Sequence, residues 1–235
     1  MFARHDLVWL TGRGWARVRA GLSTEGADEV AARATLAALD TWRAAGWPAV
    51  VRRAETGLAP GEVAIGFAMP PRPGDGAKLR LGCWVELADV QRRTRALALV
   101  GALDAVPAAW RERLAALERE AAGAGLGLAV YGSVAQQALT GQRYLTSRSD
   151  IDLLLRPSDR AQLMAGLELL ARHAASLPLD GEIVFPDGRA VAWKELQAAF
   201  DSAPGTRVLA KGLERVALVP PGELLATLEE PACLD

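Results

Sequence analysis

The stretch Ser149-Asp150-Ile151-Asp152-Leu153-Leu154-Leu155 constrains the fold more than any other part of the chain. Three consecutive leucines bury a strand, yet two acids stand at its mouth, where charge beside a buried run costs desolvation and adds no packing. Side chains in a strand repeat every two residues, which predicts that Asp150 and Asp152 lie on one side of a sheet, close together. Two ionised carboxylates so placed repel each other unless a cation sits between them. Hard oxygen donors on a rigid strand suit Mg2+, which retains waters and takes its other ligands from substrate phosphates. The plain alternative is a solvated strand start.

Upstream, Leu126 to Tyr131 reads as a strand, and Gly132-Ser133 opens a helix. Backbone amides of a first helical turn can face an anion, and glycine lets that anion approach closely. The Ser133 hydroxyl adds one donor to a phosphate oxygen. A tight turn with a helix cap would use the same residues. Glycine and serine after one strand, with Asp-x-Asp on the next, predict a site for magnesium and a polyphosphate. A third carboxylate is expected on a neighbouring strand, to complete the coordination and help deprotonate an attacking hydroxyl. Leu179-Asp180-Gly181-Glu182-Ile183 offers Asp180 or Glu182, with Asp180 preferred. Arg52, Arg53, Arg72, Arg80, Arg143, Arg148, Lys194 and Lys211 are candidate phosphate contacts, although most read as solvated charges. Arg148, two residues before Asp150, and Lys211, inside an apolar run, are preferred as phosphate-binding groups.

The 235 residues, 51% hydrophobic, can bury a core without disulfides or structural metal. A net charge of −1 excludes global steering towards nucleic acid or an acidic membrane. No apolar run is suited to a membrane span or signal peptide, and a cytoplasmic location is expected. Cys83 and Cys233 make neither a disulfide scaffold nor a zinc site. The tryptophans at 9, 42, 47 and 84 read as core or packing residues, although one of them could stack on adenine.

The expected class is α+β, with a smaller N-terminal α+β domain over 1–95 and a catalytic domain with a mixed sheet over 96–235. The N-terminal part is predicted to hold strands at Leu7 to Leu10, Ala49 to Arg52, Glu62 to Met69 and Lys78 to Glu86. A helix runs from about Gly26 to Ala45, capped by Ser23 or Thr24. Trp110, Leu114, Leu117 and Ala121 share one helix face, and that helix is expected to connect the two parts. Strands follow at Ile151 to Leu155 and Leu179 to Phe185, with a helix between them capped by Ser158. Pro186 to Arg189 reads as a hairpin-like turn leading to a helix with Trp193, Leu196 and Phe200 on one side. Extended runs at Arg207 to Lys211 and Arg215 to Val219 precede a last helix after Pro220-Pro221.

The Gly-Ser and Asp-x-Asp arrangement resembles the nucleotidyltransferase superfamily. The longer strings Tyr-Gly-Ser-Val-Ala-Gln-Gln-Ala-Leu-Thr-Gly, Ser-Asp-Ile-Asp-Leu-Leu, Asp-Gly-Glu-Ile and Ala-Val-Ala-Trp-Lys-Glu-Leu are similar to malonate decarboxylase holo-acyl-carrier-protein synthase, the phosphoribosyl-dephospho-CoA transferase family. Arg4-His5-Asp6-Leu7-Val8-Trp9 and Pro48-Ala49-Val50-Val51-Arg52-Arg53 extend the resemblance over most of the chain. It implies a nucleotidyltransferase-type C-terminal domain. It also implies transfer of 2'-(5''-phosphoribosyl)-3'-dephospho-CoA from its triphosphate precursor, triphosphoribosyl-dephospho-CoA. The acceptor would be a serine of the malonate decarboxylase acyl carrier protein, and pyrophosphate would be released. Under that reading Asp150 and Asp152 are the catalytic pair, and Mg2+ is held by them with Asp180 (or Glu182). Gly132, Ser133, Arg148 and Lys211 bind phosphate. A nucleotidyltransferase acting on another hydroxyl, and a non-catalytic nucleotide-binding module of the same fold, are the alternatives.

Overall fold

A computed structural model of the chain describes residues 2–21, 29–54, 57–72, 74, 76–203 and 205–228. The expected helix cap at Ser23 or Thr24, and Cys233, lie outside the described residues. The chain divides into two units, Met1–Ala96 and Leu97–Asp235, each with its own sheet.

The first unit contains β1 (Leu7–Leu10), α1 (Gly12–Gly21), α2 (Glu29–Ala44), β2 (Ala49–Val51), β3 (Glu62–Ala68), β4 (Arg80–Glu86) and β5 (Val90–Thr94). The strands pair antiparallel in the order β4-β3-β2-β1-β5. Val63, Ile65 and Phe67 alternate along β3 and are buried, as period-two geometry requires of one covered face. Phe67 meets Trp15 of α1 at 5.4 Å and Trp42 of α2 at 5.7 Å between ring centroids. Trp42 therefore serves the core.

Helix α1 is absent from the sequence reading, because three glycines in ten residues hide a helix by propensity. Close packing explains Gly14, where a Cβ would lie 2.9 Å from the Asp89 carbonyl oxygen. α1 also carries Arg13 and Arg17, whose Nε atoms donate to the buried Asp89 carboxylate at 2.5 and 2.9 Å. Asp6, equally buried, receives Arg93 at 2.7 Å. Buried carboxylates of this kind persist only when paired.

The second unit contains β6 (Leu97–Ala98), α3 (Ala108–Gly123), β7 (Leu128–Val130), α4 (Gly132–Thr140), β8 (Ile151–Leu155), α5 (Arg160–Ala174), β9 (Leu179–Val184), β10 (Ala190–Ala192), α6 (Trp193–Phe200), β11 (Val208–Lys211), β12 (Val216–Val219) and α7 (Pro221–Leu225). The sheet order is β12-β11-β10-β9-β8-β7-β6, and only β8 and β9 run parallel. This is the mixed sheet expected for an α+β chain.

Leu114, Leu117 and Ala121 of α3 are fully buried in the second unit's core with Leu163, Leu167 and Leu170 of α5. The expected role of α3 as a connector is thus corrected. Its apolar stripe needs a partner, and α5 supplies it. Asp159, not Ser158, caps α5 by accepting from the Gln162 amide at 2.8 Å, while the Ser158 hydroxyl donates to the Asp159 carboxylate. Strands β5, β6 and β10 escape the sequence reading because each is short or charged, and sheet pairing rather than propensity holds them.

Two tests follow from these contacts. Gly181 in β9 has φ +135°, and a Cβ there would lie 2.0 Å from the Leu153 carbonyl oxygen of β8. Gly181→Ala should cost about 2–4 kcal/mol, from backbone strain and overpacking together, as read by urea unfolding. The Arg13 hydrogen bond, and then the Arg17 one, hold the Asp89 carboxyl below its ordinary value. A lowered folded pKa stabilises above the unfolded value and is lost as pH falls through the folded one. Asp89→Asn should therefore lower Tm at pH 7, and the gap from the wild type should narrow as pH falls below about 4.

Candidate active site

The site is built where β7 passes into α4 beside the start of β8. The Tyr131 amide donates to the Asp152 carbonyl at 3.1 Å, fixing the end of β7 against β8. Gly132 then opens α4 with φ +61°, and a Cβ placed on it would sit 2.1 Å from Asp152 Oδ2. Only glycine accommodates both the left-handed backbone and that approach. The group pressed against Gly132 is thus the Asp152 carboxylate, held by the first residue of the helix. Helix N-termini favour negative charge, so a carboxylate is stable there. Ser133 is the next residue of α4 and is partly exposed.

Strand β8 begins at Ile151. Alternation therefore fixes the side of Asp152 but not that of Asp150, which precedes the strand and is exposed. Across the parallel ladder Asp152 stands opposite Asp180, and Leu154 opposite Glu182. Adjacent strands lie about 4.8 Å apart, and residues in register share a face. Asp152 and Asp180 consequently present carboxylates side by side, both partly exposed.

Glu182 lies two residues deeper, is 4% exposed, and receives the Lys211 ammonium at 3.0 Å. Glu182 is thus the buried member of a partly buried charge pair and sits away from the strand mouth. Asp180 keeps a longer ion pair, with Lys194 Nζ 3.9 Å from Oδ1. Lys194 follows Trp193 at the start of α6 and lies over its ring.

Arg148 lies in the turn at 146–149, closed by the Ser149 amide donating to the Thr146 carbonyl at 3.1 Å, and its side chain is exposed. The segment from α4 to β8 is tied down by Gln137, a residue the sequence reading passed over. Its side-chain oxygen accepts from the Tyr144 and Leu145 amides at 2.9 and 3.0 Å, and its Nε2 donates to the Ala105 carbonyl at 2.5 Å. A glutamine inside a helix, next to another at Gln136, carries no sequence signal for such a role.

Asp152 and Asp180 offer two hard oxygen donors at one level of the sheet. Among the described residues no group of three or more His, Cys, Asp or Glu is assembled to hold a metal ion. A magnesium ion needs only one or two carboxylates from the protein when waters and substrate phosphates fill its shell. The donor set fits that requirement.

Among the described residues no helix is long and apolar enough to cross a membrane. Cys83 is a free cysteine whose thiol burial pushes up to about 12.

Two family models together cover nearly all of this architecture. The phosphoribosyl-dephospho-CoA transferase MdcG N-terminal domain matches residues 3–96, and the MdcG C-terminal domain matches residues 96–221. The chain belongs to the phosphoribosyl-dephospho-CoA transferase family. Curated relatives bear the name phosphoribosyl-dephospho-CoA transferase. One from Xanthomonas campestris pv. campestris strain 8004 is 36% identical over 197 residues, covering 83% of this chain and 85% of the relative. One from Bradyrhizobium diazoefficiens is 35% identical over 218 residues, covering 92% and 89%. One from Azotobacter vinelandii is 33% identical over 222 residues, covering 88% and 87%. No solved structure matches the chain.

The Gly132 contact yields a direct test. Gly132→Ala forces a side chain into positive φ and against the Asp152 carboxylate, so it should destabilise the protein by about 1–3 kcal/mol. Thermal or urea unfolding measures this; wild-type stability would contradict the close approach.

Proposed function

We propose that the chain is a transferase that moves 2'-(5''-phosphoribosyl)-3'-dephospho-CoA from its triphosphate precursor to a serine hydroxyl of the malonate decarboxylase acyl carrier protein. The second unit acts as a nucleotidyltransferase-type catalytic domain, in the cytoplasm. The observation that carries this reading is the Asp152 carboxylate seated on Gly132 at the start of α4, with Asp180 in register beside it. Membership of the phosphoribosyl-dephospho-CoA transferase family supports the group transferred.

The reaction forms a bond from the serine oxygen to the α-phosphorus and breaks the bond from that phosphorus to the bridging oxygen, so pyrophosphate leaves with the electron pair. The protein's work in such a transfer is positioning and electrostatics. Asp152 and Asp180 are the proposed ligands of Mg2+, with Asp150 at the strand mouth completing the acidic group. The bound cation would neutralise phosphate charge and acidify the attacking hydroxyl. Asp180, at the exposed end of the ladder, takes the hydroxyl proton on a carboxylate oxygen. It is the better third carboxylate, since Glu182 is buried against Lys211. The Gly132 and Ser133 turn and Arg148 bind the triphosphate. Lys211 would contribute to phosphate binding only by field, because its ammonium lies on Glu182.

Asp150→Ala and Asp152→Ala should each abolish transfer to the apo carrier protein, measured as pyrophosphate release, while the circular dichroism spectrum is kept. Undiminished release by either variant would overturn the assignment. Ser133→Ala should weaken triphosphate binding by about 1–2 kcal/mol, the scale of one hydrogen bond to a charged group; an equilibrium titration with the precursor measures it.

A further inference from the structure

Strand β9 carries two carboxylates two residues apart, each paired with a lysine, and the pairs differ in how firmly they are closed. Glu182 is buried and receives Lys211 at 3.0 Å. Asp180 meets Lys194 at 3.9 Å, with the two side chains 47% and 56% exposed. Solvated pairs of that kind are weak and readily exchanged.

Sheet register explains why an ammonium arrives at Asp180. Strand β10 pairs with β9 through Ala190 opposite Val184, Val191 opposite Ile183 and Ala192 opposite Glu182. Two residues further on, Lys194 comes level with Asp180, which β8 in turn sets level with Asp152. Two carboxylates and an ammonium thus stand in a row across the ends of β8, β9 and β10. Trp193, buried in the core, pins the backbone at this point, and the Lys194 ammonium lies 5.5 Å from the centroid of its ring. Helix formation does not call for a cation here. Lys194 is in the first turn of α6, where the macrodipole favours negative charge. The neighbouring Glu195 is occupied elsewhere, accepting from the Leu209 amide at 2.8 Å. Among the described residues the ionic partner of Lys194 is Asp180 alone.

Two ionised carboxylates at one level repel each other, and Lys194 supplies part of the counter-charge. A divalent cation brings twice that charge to the same oxygens and repels the ammonium. Lysine carries its charge on a flexible aliphatic stem, so Nζ can turn to a phosphate oxygen while the backbone stays in place. We infer that Lys194 is an exchangeable counter-ion. It holds Asp180 before a divalent cation arrives, yields the carboxylate to that cation, and then binds the triphosphate. The inference rests on the proposed function for the cation site and adds the residue that links cation to polyphosphate.

Two titrations of the full chain test it, both without carrier protein. One follows Mn2+ alone by electron paramagnetic resonance, and the other follows the triphosphate precursor by calorimetry at saturating Mg2+. Lys194→Met should bind Mn2+ at least threefold more tightly than the wild type, and the precursor at least threefold more weakly. Lys194→Arg, which keeps the charge, should do neither. Damage to the fold would weaken both ligands, so the opposite signs separate this role from a structural one. In an Asp180→Asn background, Lys194→Met should bring no gain in Mn2+ affinity. The inference is overturned if Lys194→Met binds Mn2+ no more tightly than the wild type, if its precursor affinity is unchanged, or if Lys194→Arg shows the same gain. Should that happen while Asp152→Asn and Asp180→Asn still weaken Mn2+ binding, only the role of Lys194 falls and the proposed cation site stands. Mn2+ affinity unchanged in both aspartate variants would sink the proposed cation site and this inference with it.

Discussion

Parallel strands cannot be joined by a tight turn, so β8 and β9 need a crossover, and α5 provides it. The ladder it permits sets Asp152 level with Asp180 and Leu154 level with Glu182. A slip of one residue would turn Asp152 into the core and a leucine out to solvent. Gly181, midway between the two acids of β9, lies too close to the Leu153 backbone for any side chain. The same register that buries Leu153 and Leu155 therefore displays the carboxylates, and structure and site share one constraint.

Charge is handled differently at different depths. At the strand mouth Asp152 lies against the start of α4, and Asp180 pairs with a distant ammonium, and both are partly exposed. Deeper in the sheet Glu182 is closed off by Lys211. In the first unit Asp6 and Asp89 are fully buried and bound by arginines from other elements. Those pairs hold α1 and β5 in place, because each buried carboxylate is tied by charge-assisted hydrogen bonds to a guanidinium from another element.

Much of this was legible in the residues. The buried leucine run, the Gly-Ser step and the Asp-x-Asp spacing marked β8, α4 and the acidic mouth, since each depends on local periodicity and backbone chemistry. Periodicity put Asp180 and Glu182 on one face and preferred Asp180, but the burial of Glu182 against Lys211, 29 residues away, depends on sheet register and could not be read locally. The close approach of Asp152 to Gly132 was hidden for the same reason, although the glycine itself announced that something must come near. Helix α1 was missed because packing against Asp89, a long-range contact, selected a glycine that propensity counts against a helix. Asp159 displaced Ser158 as the cap of α5 because both are good capping residues one position apart, and only backbone geometry distinguishes them.

The central claim is that Asp152 and Asp180, placed in register beside Gly132, form the protein's part of a divalent cation site. Titration with Mn2+ followed by electron paramagnetic resonance tests it without any turnover. The account predicts saturable binding by the wild type in the presence of the triphosphate precursor, at least tenfold weaker in both Asp152→Asn and Asp180→Asn and unchanged in Lys211→Met. Equal Mn2+ affinity in the wild type and the two aspartate variants would contradict it.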